Sequence, residues 1–310
     1  MPDFNQPYND DPIPTGSISL DVALSTGGIL AGNFIEISGS SGSGKTTLCL
    51  YIIANAQHVG YPCAFIDSDQ TFVPELAIRC GINPDNLYFS PAFQAEQAMF
   101  TLETLVISGI FKIIVLDSIA GLVPQSELAL RNGESSGRKE VKLLANTIRR
   151  LSAHLSLSGT TIIFISPDWA HEYPIYHQLA DNLDRLALQL HAAQRLGLRT
   201  GSPIFQNGQQ VGNHISVNIL KNPVPPFYTQ ACFDIMYDQG LDNSSELFNL
   251  GKYLGLLDYH SPKGYFFRGR QLGKEKEEVI SFFRNHLDLS EIVGIEIRQA
   301  LLPRNISTAA

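Results

Sequence analysis

The eight residues Gly39-Ser40-Ser41-Gly42-Ser43-Gly44-Lys45-Thr46 constrain this chain more than any other stretch. They fit GxxxxGK[ST] in full. They also stand between an apolar, β-branched run of strand length (33–38, NFIEIS) and a helix-like stretch (46–59), the setting in which this pattern cradles phosphate. The glycines let backbone N–H groups turn inward as a nest for an anion, and the helix N-terminus adds partial positive charge. Lys45 is placed to reach the β- and γ-phosphates of a nucleotide, and the Thr46 hydroxyl to take one position on a Mg²⁺ ion. Such a site needs an acid at the end of an apolar strand on the metal side. Asp117 closes the run KIIVLD (112–117), although a strand-end aspartate also serves as an ordinary helix cap. A further carboxylate should polarise the attacking water. Asp67 and Asp69, in AFIDSDQ, are the candidates, and either also fits a turn.

The pattern around this motif extends it into a fold. Between residues 13 and 121, β-rich runs (33–38, 62–67 and 112–117) alternate with helix-like stretches (46–59 and 94–108). That alternation predicts βαβ units and a largely parallel sheet. An amphipathic segment over about 137–158 and a buried-type strand, TIIFIS (161–166), follow. Residues 167–184 read as a loop running into a helix, and the runs LALQL, HISVNIL and ACFDIMY between 185 and 237 as further strands. The predicted class is α/β: residues 1–13 a flexible acidic tail, 14–245 a P-loop core, 246–305 a small C-terminal α+β domain, and 306–310 a tail.

Composition narrows the class. With 44% apolar residues, 17% charged and a net charge of -8, the chain is neither disordered nor a uniformly basic nucleic-acid coat. No apolar run approaches the ~20 residues of a membrane span, and the acidic start lacks the order of a signal peptide, so a cytoplasmic protein is expected. Cys49, Cys63, Cys80 and Cys232 lie singly in apolar runs and read as small core residues. The charge is uneven: residues 1–44 carry no Lys or Arg, whereas 131–150 carry six of the chain's 22 cations against Glu134 and Glu140.

The order of motifs resembles that of bacterial RecA recombinases. TGSISLDVALSTGGILAGNFIEISGSSGSGKTTLCL, CAFIDSDQ, IIVLDSIAGLVPQSEL, TIIFIS, ILKNPVPPF and GKYLGLLD…GYFFRG…LG follow in the family's sequence, from about 14 to 303. The resemblance implies a RecA-like P-loop ATPase core with a small C-terminal domain. Its members self-associate on single-stranded DNA and bind ATP and Mg²⁺ at subunit interfaces, in recombination and repair. It assigns phosphate binding to residues 39–47, Thr47 included, and the metal side to Thr46 and Asp117 through water. Lys45 and Asp69 take the catalytic positions, and Lys221 reaches across the interface.

Several positions depart from the family pattern. Asp69 replaces a catalytic glutamate, which predicts slow DNA-dependent hydrolysis, since ~1 Å of misplacement costs on the order of 10²-fold. Leu76 and Val73 stand where the family has an aromatic and an acid near the adenine. Pro167 follows Ser166 where a glutamine senses the γ-phosphate, and Pro223 replaces the second of two interface lysines. The basic N-terminal arm is replaced by an acidic tail. These departures keep a second function open: a divergent accessory module that binds nucleotide but exchanges strands weakly or not at all.

DNA contacts are expected from Arg131, Arg138, Lys139 and Lys142, on the family's first DNA-binding loop and the helix after it, although such a run also suits a solvated helix face. The second such loop, about 167–184, holds no Lys or Arg. Its Trp169 is a candidate to stack on bases, or to pack beneath the loop. Cations of the C-terminal part (Lys263, Arg268, Arg270, Lys274, Lys276) resemble a duplex-contacting surface and equally suit a solvated face.

Overall fold

The computed structural model describes residues 11–122, 138–168, 182–206, 208–225 and 228–301, and within them not the side chains of 138–142, 156 and 182–186. Nine strands form one sheet in the order β3-β2-β4-β5-β1-β6-β7-β8-β9. They are β1 (Phe34–Gly39), β2 (Cys63–Asp67), β3 (Leu87–Pro91), β4 (Ile113–Asp117), β5 (Thr161–Pro167), β6 (Gln194–Gln206), β7 (Gln209–Lys221), β8 (Gln230–Met236) and β9 (Gly240–Asp242). The first six in spatial order pair in parallel, and β6 to β9 continue antiparallel.

Alternation along the central strands builds two cores at once, because successive side chains leave a strand on opposite faces. Ile35, Ile37, Phe65, Ile113, Val115, Ile163 and Ile165 join one cluster with α2 (Lys45–His58) and α3 (Pro74–Arg79). Phe34, Ile66, Ile114, Leu116, Ile162 and Phe164 join the other. There they meet α4 (Ala95–Ser108), α5 (Arg138–Ser158) and α6 (Asn182–His191). Both faces of a parallel sheet are therefore covered, which is why these strands read as unbroken apolar runs.

A third cluster gathers α7 (Asn243–Tyr253), α8 (Lys276–Asn285) and α9 (Leu287–Leu301) around an antiparallel sheet of β10 (Asp258–His260), β11 (Gly264–Phe267) and β12 (Arg270–Gly273). Its hairpin turns at Arg268 and Gly269, both with positive φ (49° and 80°), the geometry of a two-residue loop matched to strand twist. Ile18 and Val22 of α1 (Ile18–Ala23) belong to this same cluster, so the N-terminal helix ties the C-terminal unit to the sheet.

Three expectations are corrected. LALQL is the last part of α6, not a strand: Leu188 is buried while Leu190 is 65% exposed, which alternation forbids and a helical turn produces. Residue 13 is not in a flexible tail, since Ile13 is buried and exchanges two backbone hydrogen bonds with Ile29. Cys232 is exposed on β8, whereas Cys49, Cys63 and Cys80 are buried as expected. Among the described residues no helix is long and apolar enough to cross a membrane.

Candidate nucleotide site

The loop at the C-terminal end of β1 runs directly into α2, whose N-cap is Gly44 at φ 85°. A side chain there fits neither the backbone nor the space, because a Cβ would lie 2.3 Å from Ile235 Cδ1. Gly44 therefore lets the loop close tightly over β8. No acidic residue stands in the first turn of α2, and no side chain caps it. Its first N–H groups and partial positive charge are left to an anion. The loop closes on itself between Ser43 N and Ser40 O (3.2 Å). Thr200 Oγ1 of β6 donates to Gly42 O at 3.4 Å. Ser43 is fully buried, and its hydroxyl has no hydrogen-bond partner, so the loop holds a polar atom that the protein itself leaves unsatisfied. The Lys45 ammonium donates to Gly39 O and Ser40 O at 2.7 and 2.8 Å, lying along the loop it serves.

Opposite stand the acids. Thr46 Oγ1 donates to Asp117 Oδ2 at 2.6 Å, so the two residues expected on the metal side meet although β5 lies between β4 and β1, the strand that leads into α2. Burial pushes the Asp117 carboxyl up to about 6, helped by the charges of Asp69 and Asp67 and opposed by the Thr46 hydroxyl and Lys45. An approaching cation reverses that balance by favouring the ionised form. The loop, the unpartnered Ser43 hydroxyl and the Thr46–Asp117 pair together fit a nucleotide triphosphate with Mg²⁺.

Asp67 and Asp69 separate in role. Asp67, paired with Asp117 in register, is buried and accepts backbone N–H bonds from Thr71 (3.2 Å) and Phe72 (3.1 Å). It anchors the turn after β2. Asp69 is exposed, and its Oδ2 accepts from Ser118 Oγ at 2.7 Å. Its Oδ1 sits where a Cβ on residue 121 would come within 2.0 Å, a space kept open by Gly121. Ser118 and Gly121 were missed in the sequence; their only signal was their place just after the strand that ends in Asp117.

The strand ends beside the loop carry Ser166 and Pro167. Pro167 pairs with Gly39 in register, next to the phosphate loop, and offers no donor. Ser166 instead turns inward: its Oγ donates to Glu36 Oε1 at 3.0 Å, and Arg195 pairs with the other oxygen of Glu36. This buried polar chain across β5, β1 and β6 was not read from the sequence. Lys221 ends β7, and its Nζ donates to the carbonyls of Gln189 and Leu190 at 3.0 Å each. Arg131 and Trp169 lie outside the described residues, and Arg138, Lys139 and Lys142 are described only as the backbone that opens α5.

The chain matches the family model described as RecA N-terminal domain over residues 5–242. It is similar to the Protein RecA of Acidothermus cellulolyticus, 36% identical over 291 residues, covering 94% of this chain and 84% of that protein. The Protein RecA of Frankia alni is 38% identical over 289 residues, 93% of this chain and 83% of its own length. That of Chloroflexus aurantiacus is 36% identical over 280 residues, 90% and 79% respectively.

Proposed function

The chain belongs to the bacterial RecA family, and from that premise we propose that it is a RecA-like ATP-dependent DNA-binding protein of recombination and repair. Copies of the chain bind Mg-ATP at their interfaces and hold single-stranded DNA. The observation that carries this reading is the 2.6 Å Thr46–Asp117 hydrogen bond beside a helix N-terminus with no acid in its first turn. A cytoplasmic location and self-association accompany it.

The residues divide the work as follows. Gly39, Ser40, Ser41, Gly42, Ser43 and Gly44 supply the backbone nest, with Thr47 in the first turn behind it. Lys45 exchanges the carbonyls of Gly39 and Ser40 for phosphate oxygens, a charge-assisted contact roughly twice as strong as a neutral one. Thr46 and Asp117, the latter through water, would hold Mg²⁺, which would supply positive charge against the charge that develops on the phosphates. Asp69, steadied by Ser118, orients and deprotonates the attacking water. Its carboxylate reaches one methylene less far than a glutamate, so turnover is slow. Lys221 contributes positive charge to a neighbouring copy's nucleotide, alone because Pro223 follows in place of a second cation.

Arg131, Arg138, Lys139, Lys142 and Trp169 are the DNA contacts of this proposal. It is tested by anisotropy titration of a fluorescent oligo(dT) with Mg²⁺ and a non-hydrolysable ATP analogue, at several salt concentrations. Neutralising Arg138, Lys139 and Lys142 together should flatten the slope of log affinity against log salt by about 2, at ~0.7 per single-strand phosphate contact. An unchanged slope excludes these residues as contacts.

A further inference from the structure

The ammonium of Lys221 is held by the last turn of a helix. Its Nζ donates to two main-chain carbonyls, Gln189 O and Leu190 O, at the C-terminal end of α6. Among the described residues no carboxylate forms an ion pair with it. A cation at a helix C-terminus satisfies carbonyls that have no intrahelical donor and complements the negative end of the helix dipole. A phosphate offers that ammonium a stronger, charge-assisted partner.

α6 is not an isolated helix. Leu188 and Ala192 at its end belong to the same core cluster as Ile148, Leu151 and Leu155 of α5. His191 Nδ1 lies 3.3 Å from Ser152 Oγ of α5. α5 is the helix that opens with Arg138 and Lys139 and carries Lys142 in its next turn. One packed path therefore runs from Lys221 through α6 to the helix bearing the candidate DNA cations. Pro167 stands at the strand end beside the loop, without a side-chain donor to report the nucleotide from there.

We propose that Lys221 is a latch: it caps α6 in the free subunit and releases that helix when it takes a phosphate of a neighbouring copy's nucleotide. Nucleotide at the interface thereby loosens the end of α6 and the α5 helix packed on it. The latch rests on the assignment of Lys221 to a neighbouring nucleotide, made above. It adds to that assignment the element that Lys221 controls inside its own subunit.

Hydrogen exchange on the full chain tests it, read on the peptide covering 186–192, with amides of β4 and β5 as an internal check on global folding. In the absence of nucleotide, Lys221→Ala should exchange there about fivefold faster than wild type, the magnitude of a lost helix-end cation. Lys221→Arg, which keeps donors and charge, should stay near the wild-type rate. Adding Mg²⁺ and a non-hydrolysable ATP analogue at assembling concentration should move wild type toward the Lys221→Ala rate and leave Lys221→Ala unchanged. Equal rates for nucleotide-free wild type and Lys221→Ala overturn the latch. Faster exchange in Lys221→Ala with no response of wild type to bound nucleotide also overturns it, reducing Lys221 to a structural cap. Equilibrium dialysis of the nucleotide, with Lys45→Ala as the non-binding control, separates these outcomes from failure of nucleotide binding itself.

Discussion

Replacing Glu246 by glutamine should make the protein more stable at pH 8 and leave it little changed or weaker at pH 5. Glu246 lies on α7, 4% exposed, facing α1. Its carboxyl meets Ser17 Oγ at 2.7 Å, Ser19 N at 3.0 Å and Ser19 Oγ at 3.1 Å. Ser19 Oγ has a single proton and lies 2.8 Å from Cys232 O, which can only accept. The Ser19 hydroxyl therefore divides its one proton between that carbonyl and Glu246, and supports the carboxylate only weakly. Burial raises this carboxyl from 4.5 to about 7, against its hydrogen bonds and with a smaller push from Asp21. Asp21, fully buried and bonded to Thr15 and Arg298, is raised to about 6 for the same leading reason.

A carboxyl whose folded value exceeds its unfolded value holds its proton longer in the folded state. Its contribution is therefore complete below the unfolded value and is lost as pH rises through the folded one. For Glu246 the loss runs from about pH 4.5 to pH 7 and amounts to about 3 kcal/mol at 1.36 kcal/mol per pH unit. Glutamine keeps an acceptor and cannot ionise, so it escapes that loss. It gives up about 1 kcal/mol of hydrogen bonding at low pH. Urea unfolding of wild type and Glu246→Gln between pH 5 and pH 8.5 reads the difference directly. A difference independent of pH refutes the claim that the carboxylate at this junction is held uncharged by burial.

Two further outcomes concern the nucleotide loop. Gly44→Ala imposes a side chain at positive φ and within 2.3 Å of Ile235 Cδ1. It should cost about 2–4 kcal/mol from strain and overpacking combined, lowering the midpoint in urea and weakening nucleotide binding in dialysis. Asp117→Asn should remove most of the Mg²⁺ dependence of ATP-analogue affinity. In wild type that dependence should fade as pH drops through about 6, where the Asp117 carboxyl takes up its proton; the same titration followed in Asp117→Asn should be flat.

The sheet and the loop were legible because their signals are local. Unbroken apolar runs such as 113–117 mark doubly covered strands, and the GxxxxGK[ST] pattern specifies its own geometry. β3 was not foreseen because it is an edge strand whose Tyr88 and Phe89 are both substantially exposed, so no alternation marks it. LALQL misled because five residues of alternating character fit both periods, and only packing on α5 decides between them. At the site, the pairing of Thr46 with Asp117 was legible from motif order. The family resemblance singles out Asp69 over Asp67; that Asp67 is occupied by the backbone N–H groups of Thr71 and Phe72 depends on the turn after β2, which no local pattern announces. The Ser166–Glu36–Arg195 chain joins three strands distant in sequence, and no local pattern announces it.

Whether this phosphate loop drives a DNA-responsive ATPase is read from ATP turnover with and without single-stranded DNA, in wild type and Lys45→Ala. Turnover should be slow, stimulated by DNA, and abolished by Lys45→Ala in both conditions. ATP binding with turnover indifferent to DNA overturns the DNA-dependent ATPase.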